Sequence, residues 1–247
     1  MAEPRSLDPA RHSRLLCALA GESQAHPLVR KLLVCRRHGE GLELLRALAA
    51  AGAPWIGFEA TTPKRLALDV LGADDRVGRD LLDEFDEQAL IDAAIDDVLQ
   101  QSGAASRYAA LAEGVGLRRA LAQAVQALRL GGIDARAVRR QLEEPAKQDA
   151  LGAILARYDE LRRVPGRLDA ADLFVRANRA LRADISALAD ARVLIVPGHS
   201  LRGVSGGLLG TLVELGATVL PEDDVMGLAT PAGRLRGVDA GAAGHAD

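Results

Sequence analysis

The sequence predicts an α/β fold, a small parallel sheet flanked by helices and interrupted by a large all-helical insertion. Three observations carry this. Two apolar runs, Lys31-Leu32-Leu33-Val34-Cys35 and Arg192-Val193-Leu194-Ile195-Val196, have the continuous apolar character of strands covered on both faces. Each runs into a polar turn and then a helix. Between 74 and 188, by contrast, helical periodicity recurs with no strand signal.

Taken in order, residues 1–25 form a lead-in with a short helix expected over Pro9–Leu19 and a stop at Gly21. The first part of the α/β core spans 26–73. Its strand at 31–35 is followed by a helix over Glu40–Ala51, with Leu42, Leu45, Leu48 and Ala49 at one-faced spacing and Gly52 at its end. Trp55-Ile56-Gly57-Phe58-Glu59 is expected to be the second strand. Thr62 then suits an N-cap, Pro63 the first helical position, and Gly72 the close of that helix. Four helical stripes fill 74–188, starting at Leu90, Leu117, Leu151 and Leu173, with Gly103, Gly131-Gly132, Pro145 and Pro165-Gly166 between them. The core resumes over 189–228, with a Gly-rich helix at Gly203–Leu215 and a last strand at Ala217–Leu220. The Gly/Ala-rich segment 229–247 is expected to be disordered. Four strands are few for a doubly wound sheet, which suggests the front of a longer protein.

Composition removes several classes of function. Hydrophobic residues are 49% and charged residues 26% of 247, as in ordinary globular proteins. No apolar run reaches the roughly 20 residues of a membrane-spanning helix, and Met1–Asp8 has no signal-like apolar core, so a cytoplasmic location is expected. The net charge of -3 argues against a uniformly basic nucleic-acid binder, so any DNA contact needs a local patch. Aromatics at 2% are scarce for base stacking. Cys17 and Cys35 lack the spacing of a disulfide framework or a zinc site and suit small apolar roles. His12, His26, His38, His199 and His245 are scattered, without a metal-ligand pattern.

A strand, a turn and a helix N-terminus are how phosphate sites are built. A working phosphate loop also needs a Lys for the terminal phosphates and a hydroxyl for magnesium. Here the first strand is followed by Arg36-Arg37-His38-Gly39-Glu40-Gly41, which has neither, and Glu40 opposes phosphate. After the other long strand, Pro197-Gly198-His199-Ser200 supplies none of the carboxylates that hold magnesium and orient water. Gly39, Gly41, Pro197, Gly198 and His199 thus stand at degenerate motif positions, and no ATP hydrolysis is expected.

Four segments in order carry a family resemblance. They are His26-Pro27-Leu28-Val29-Arg30-Lys31-Leu32-Leu33-Val34, Thr61-Thr62-Pro63-Lys64-Arg65-Leu66-Ala67, Tyr158-Asp159-Glu160-Leu161 followed by Leu168-Asp169-Ala170-Ala171-Asp172-Leu173, and Val193-Leu194-Ile195-Val196-Pro197-Gly198. Across about 26–228 this order resembles the first motor domain of UvrD-like superfamily 1 helicases. More specifically, it is similar to the inactivated N-terminal helicase domain of AddB-type helicase–nuclease subunits. The resemblance implies a P-loop-like (RecA-like) core and a scaffolding, DNA-guiding role in recombination repair of double-strand breaks. It also implies a partner subunit that supplies the motor. The family's PD-(D/E)XK nuclease domain and iron–sulfur cluster would lie beyond this chain, so no cofactor is expected here. Contacts to the backbone of single- or double-stranded DNA are expected at Arg36 and Arg37, at a helix N-terminus after a core strand, and, as the resemblance implies, at Thr61, Thr62, Lys64 and Arg65.

Other constellations carry less. Asp169 suits a helix cap and Asp172 surface or interdomain hydrogen bonds, rather than acid–base chemistry. The acidic run Asp80–Glu87 suits a solvated face. Gly198-His199-Ser200-Leu201-Arg202 approaches the G-x-S-x-G elbow of an α/β-hydrolase, but Arg202 replaces the last glycine. Its triad would need Asp223, Asp224 or Asp239 and His245. A further class of function is a pure protein-interaction domain, with the helical insertion as docking face.

Overall fold

The computed structural model describes residues 7–9, 11–72, 77, 80–101, 115–141, 145–163 and 167–222. The fold is α/β, with a four-stranded all-parallel sheet in the order β2-β1-β3-β4. The strands are β1 (Arg30–Val34), β2 (Phe58–Thr61), β3 (Ala191–Ile195) and β4 (Thr218–Val219). This is the layout of Rossmann- and RecA-like folds. The segment expected to be disordered, 229–247, lies outside the described residues, as do Gly103 and Pro165-Gly166.

Alternation along the strands builds two separate cores. Leu32, Val34 and Ile195 face one side, under α3 (Pro63–Leu71), α8 (Ala170–Ala183) and α9 (Gly203–Glu214). Leu33, Cys35, Leu194 and Val196 face the other, under α1 (Arg14–Ala25) and α2 (His38–Ala50). Burial on both faces is the physical reason the chain is apolar over Leu32–Cys35 and Val193–Val196. A third core, of Ile91, Ile95, Val125, Ile154, Leu155 and Tyr158 among others, lies in a helical lobe. That lobe comprises α4 (Glu84–Gln101), α5 (Val115–Leu130), α6 (Ala135–Gln141) and α7 (Pro145–Arg163).

Several expectations are corrected. The lobe is narrower than 74–188, because the stripe starting at Leu173 belongs to α8, which packs on α3 and α9 over the sheet. Periodicity shows that a face is buried, not what buries it. β2 begins at Phe58, while Trp55 and Ile56 precede it, 51% and 76% exposed. Their aromatic and β-branched side chains look strand-like, but strand preference reflects a half-buried pleated surface that these two positions lack. α1 starts at Ser13, whose hydroxyl accepts the Leu16 amide at 3.2 Å, and runs through Gly21 to Ala25. Leu15, Leu19, Ala20 and Ser23 are buried along it, and that packing outweighs the cost of about 1 kcal/mol for an interior glycine. On α2 the buried residues are Gly41, Leu45 and Leu48, and Leu42 is exposed.

The lobe leaves and rejoins the core at one place. Leu82 donates its amide to the Leu168 carbonyl at 2.8 Å, and Leu168 donates to the Asp80 carbonyl at 2.7 Å. This small parallel bridge between Leu81 and Leu168 had no strand signal in the sequence.

Candidate functional site

In an open parallel sheet the ligand crevice lies beyond the strand C-termini where the strand order reverses. Here the chain turns from β1 toward β2 and from β3 toward β4, so that point lies between β1 and β3. Two loops meet there, 35–37 and 196–202. The Val196 amide donates to the Val34 carbonyl at 3.0 Å, and His199 Nε2 lies 3.2 Å from the same oxygen.

An ion pair of the chain itself lies at this crevice, with Arg36 exposed and Glu40 half-buried. Glu40, in the first turn of α2, turns back to accept the Arg36 amide at 3.1 Å and the Arg36 guanidinium at 2.9 Å. Burial pushes its carboxyl up, but the Arg36 guanidinium and the amides of Arg37 and Arg36 outweigh burial and hold it below the usual carboxylate range. An acidic side chain thus sits where a helix N-terminus would otherwise offer its amides to phosphate. Across the crevice, a Cβ added to Gly198 would lie 3.5 Å from the Arg36 guanidinium carbon, at a φ of +89° that favours glycine. Arg36 therefore reaches from Glu40 toward the β3 loop.

The two glycines of the β1–α2 turn differ. A Cβ at Gly41 would come within 2.6 Å of the Ala60 Cβ and 2.9 Å of Cys35 Sγ, whereas Gly39 faces open space. Gly41 lets α2 pack closely on the sheet, which is a packing role. Burial pushes the Cys35 thiol up to about 12, so it is inert as a nucleophile at neutral pH. Lys31 is buried at the opposite end of the sheet, where its ammonium donates to the Val29 carbonyl at 2.9 Å and to that of His26, 5.2 Å from the Phe58 ring centre.

The remaining positions expected to contact DNA divide. Thr61 ends β2, is buried, and its hydroxyl has no hydrogen-bond partner among the described residues. It is therefore not a surface contact. Thr62 accepts the Arg65 amide at 3.3 Å as the N-cap of α3, and Arg65 pairs with Asp69 at 3.1 Å. Arg37 and Lys64 are exposed, and neither forms an ion pair among the described residues. The hydrolase geometry is not assembled among the described residues: Ser200 Oγ accepts the Arg202 amide at 3.3 Å, and the candidate triad partners lie outside them. No group of three or more metal-ligating side chains occurs among the described residues. Nor is any helix among them long and apolar enough to cross a membrane.

A second polar centre joins the lobe to the core. Arg129, at the end of α5, holds Asp169 through two bonds of 2.7 and 3.2 Å, and reaches Asp172 at 3.0 Å and Asp159 at 3.5 Å. Arg162 on α7 pairs with Asp159 at 2.9 Å and with Asp172. Asp169 caps α8 as expected, in a reciprocal capping box with Asp172. Burial raises the Asp169 carboxyl, but Arg129 and then Arg162 hold it below its usual range. Asp172 moves the other way, through burial and the charge of Asp169. Tyr158, fully buried, donates to Asp169 at 3.5 Å.

In the acidic run Asp83, Glu84 and Asp86 are exposed as expected, and Glu87 is a half-buried exception. Burial first, then the charge of Asp169, raises its carboxyl above the usual range, against Lys64, Gln126 and Tyr158. A carboxyl raised in the folded state contributes stability below its unfolded value of 4.5 and loses it as pH rises through the folded value. At pH 7 the Glu87→Gln chain is therefore expected to melt higher than the wild type. The gain is under about 1 kcal/mol, or about 2–4 °C at most, since the group keeps some contact with water. It should vanish by about pH 4, where both side chains are neutral. Thermal melts at the two pH values check this, and an equal shift at both would refute it.

The sequence reading missed one further feature. Arg163, Arg167, Arg176 and Arg179 line a single groove at the junction of α7 and α8. Comparison with known proteins adds no family: no family model matches the chain, and no curated protein matches it.

Proposed function

We propose that this chain is a non-catalytic, helicase-like module that scaffolds and guides DNA in a helicase–nuclease assembly of double-strand-break repair. In this role it works in the cytoplasm, and a partner subunit supplies the motor. The observation that carries the reading is the Arg36–Glu40 pair at the crevice. The sheet has its switch point where a nucleotide would sit, yet the Glu40 carboxylate takes the anion position and Arg36 spans to Gly198. Pro197, Gly198 and His199 stand where metal-binding carboxylates would be needed. The order of the four family-like segments supplies the helicase part of the reading.

Exposed Arg37 and Lys64 remain available for phosphate contacts from this end of the sheet. Thr62 and Arg36 serve local structure instead.

The test is ATP turnover by the full chain with and without single-stranded DNA, alongside oligonucleotide binding. Turnover is expected to stay at the buffer background under both conditions. Hydrolysis at even about 1 per second, a modest enzyme rate, would overturn the reading.

A second reading is a protein-interaction domain. It is favoured by exposed apolar side chains on the segments just ahead of β1 and β2, namely Leu28 at 97% and Ile56 at 76%, with Trp55 half-exposed. Retained partner capture without any DNA binding at low salt would select it.

A further inference from the structure

We propose that the arginine groove between the end of α7 and the outer face of α8 binds the phosphodiester backbone of single-stranded nucleic acid. The inference rests on the DNA-guiding reading for the identity of its ligand, and gives that role a surface the sequence did not indicate.

The local charge is opposite to that of the whole chain. Residues 162–182 hold six arginines and two aspartates, in a protein of net charge -3. Both aspartates are paired, although with Asp159 three carboxylates share Arg129 and Arg162, and Asp172 itself lines the groove. Asp169 is held by Arg129, and Asp172 by Arg129 and Arg162. Arg182 pairs with Glu214 at 3.1 Å. That leaves Arg163, Arg167, Arg176 and Arg179, none of which forms an ion pair among the described residues. All four line one open groove of about 280 Å3.

The backbone dictates this arrangement. Leu173, Phe174, Ala177 and Leu181 bury one side of α8 against the sheet, which leaves Val175, Arg176 and Arg179 on the other. Residues three apart on a helix have Cβ atoms about 5–6 Å apart, so Arg176 and Arg179 can meet neighbouring charges of a linear polyanion. Arg163 and Arg167 face them from the end of α7 and the segment leading to Leu168. The Arg129–Asp169–Asp172–Arg162 network ties the end of α7 to the start of α8 beneath the groove.

The donor type points to phosphate. Guanidinium forks match phosphate oxygens bidentately and stay charged at any physiological pH. Among the described residues no aromatic side chain lines the groove, which therefore grips without base stacking. The site therefore grips backbone without reading sequence.

The test uses the full chain and a fluorescein-labelled dT20 oligonucleotide, followed by anisotropy from 50 to 200 mM salt. The wild type is expected to bind. Replacing Arg163, Arg167, Arg176 and Arg179 with Ala should weaken binding at least about tenfold at 50 mM salt. It should also flatten the slope of log K against log salt by about 3, since each phosphate contact to a single strand contributes about 0.7. The four-lysine variant should keep most of the salt slope, a readout that a merely structural role would not move, and it serves as the folding control. Arg37→Ala/Lys64→Ala should lose less than the four-alanine variant.

If the wild type binds and the four-alanine variant binds equally well with the same slope, this inference fails while the DNA-guiding reading stands. If the wild type binds no oligonucleotide even at 50 mM salt, both fail. Binding to phosphatidylserine vesicles without binding to dT20 would overturn the assignment in favour of a lipid surface.

Discussion

An Arg129→Met chain is expected to melt on the order of 10 °C below the wild type, a loss of about 3–5 kcal/mol. The reason is the charge left behind. Asp169 is 1% exposed and takes two hydrogen bonds from Arg129. Met fills similar volume but supplies no donor, so Asp169, Asp172 and Asp159 would share Arg162 alone. Asp169 stabilises the fold fully above its unfolded value of 3.8, and that contribution fades as pH falls through its lowered folded value. The defect should therefore be largest near neutral pH and shrink in acid. A pH-independent defect, or one below about 1 kcal/mol, would show that the network is not an energetic joint between lobe and core.

The Gly203→Ala chain should lose about 2–5 kcal/mol, for two additive reasons. Gly203 has a φ of +72°, and a Cβ there would lie 2.3 Å from the Leu130 carbonyl oxygen. The first places an L side chain in the left-handed region. The second forces backbone against backbone where the end of α5 meets the start of α9. Gly210→Ala on the same helix is the control, because a Cβ there meets nothing within 4 Å. It should be neutral or slightly stabilising by helix preference. Equal melts for the two variants would refute the close approach.

Much of the architecture is legible in the sequence because it follows from local chemistry. The central strands announce themselves by uninterrupted apolar character. Thr62 and Pro63 mark the start of α3, and Asp169 marks the start of α8. What failed is what local chemistry cannot hold. Trp55 and Ile56 have strand-like side chains without a strand's surroundings. The stripe at Leu173 announced a buried face but not its partner.

The site was less legible still. The missing lysine and carboxylates could be seen in the residue string, but not that Glu40 would take the empty seat. Thr61 was expected at the surface and is buried, since the second strand ends one residue before the cap. Arg129 finds its aspartates 40 and 43 residues away, a pairing no spacing rule anticipates. The four arginines without an ion pair among the described residues were visible one at a time, and only the approach of the end of α7 to α8, through Arg162 and Asp172, collects them.

The Leu81–Leu168 bridge has a consequence for how such a chain can change. It fastens the two stems of the long excursion side by side, so the sheet senses where the excursion starts and stops rather than how much polypeptide lies between. Because closing a loop costs only about 0.6 kcal/mol more for each doubling of its length, the outer part of the lobe behaves as a plug-in cartridge. Helices away from Arg129 and Leu130 can be extended, trimmed or exchanged while the two amide rungs and the seat of α5 on α8 and α9 stay the same.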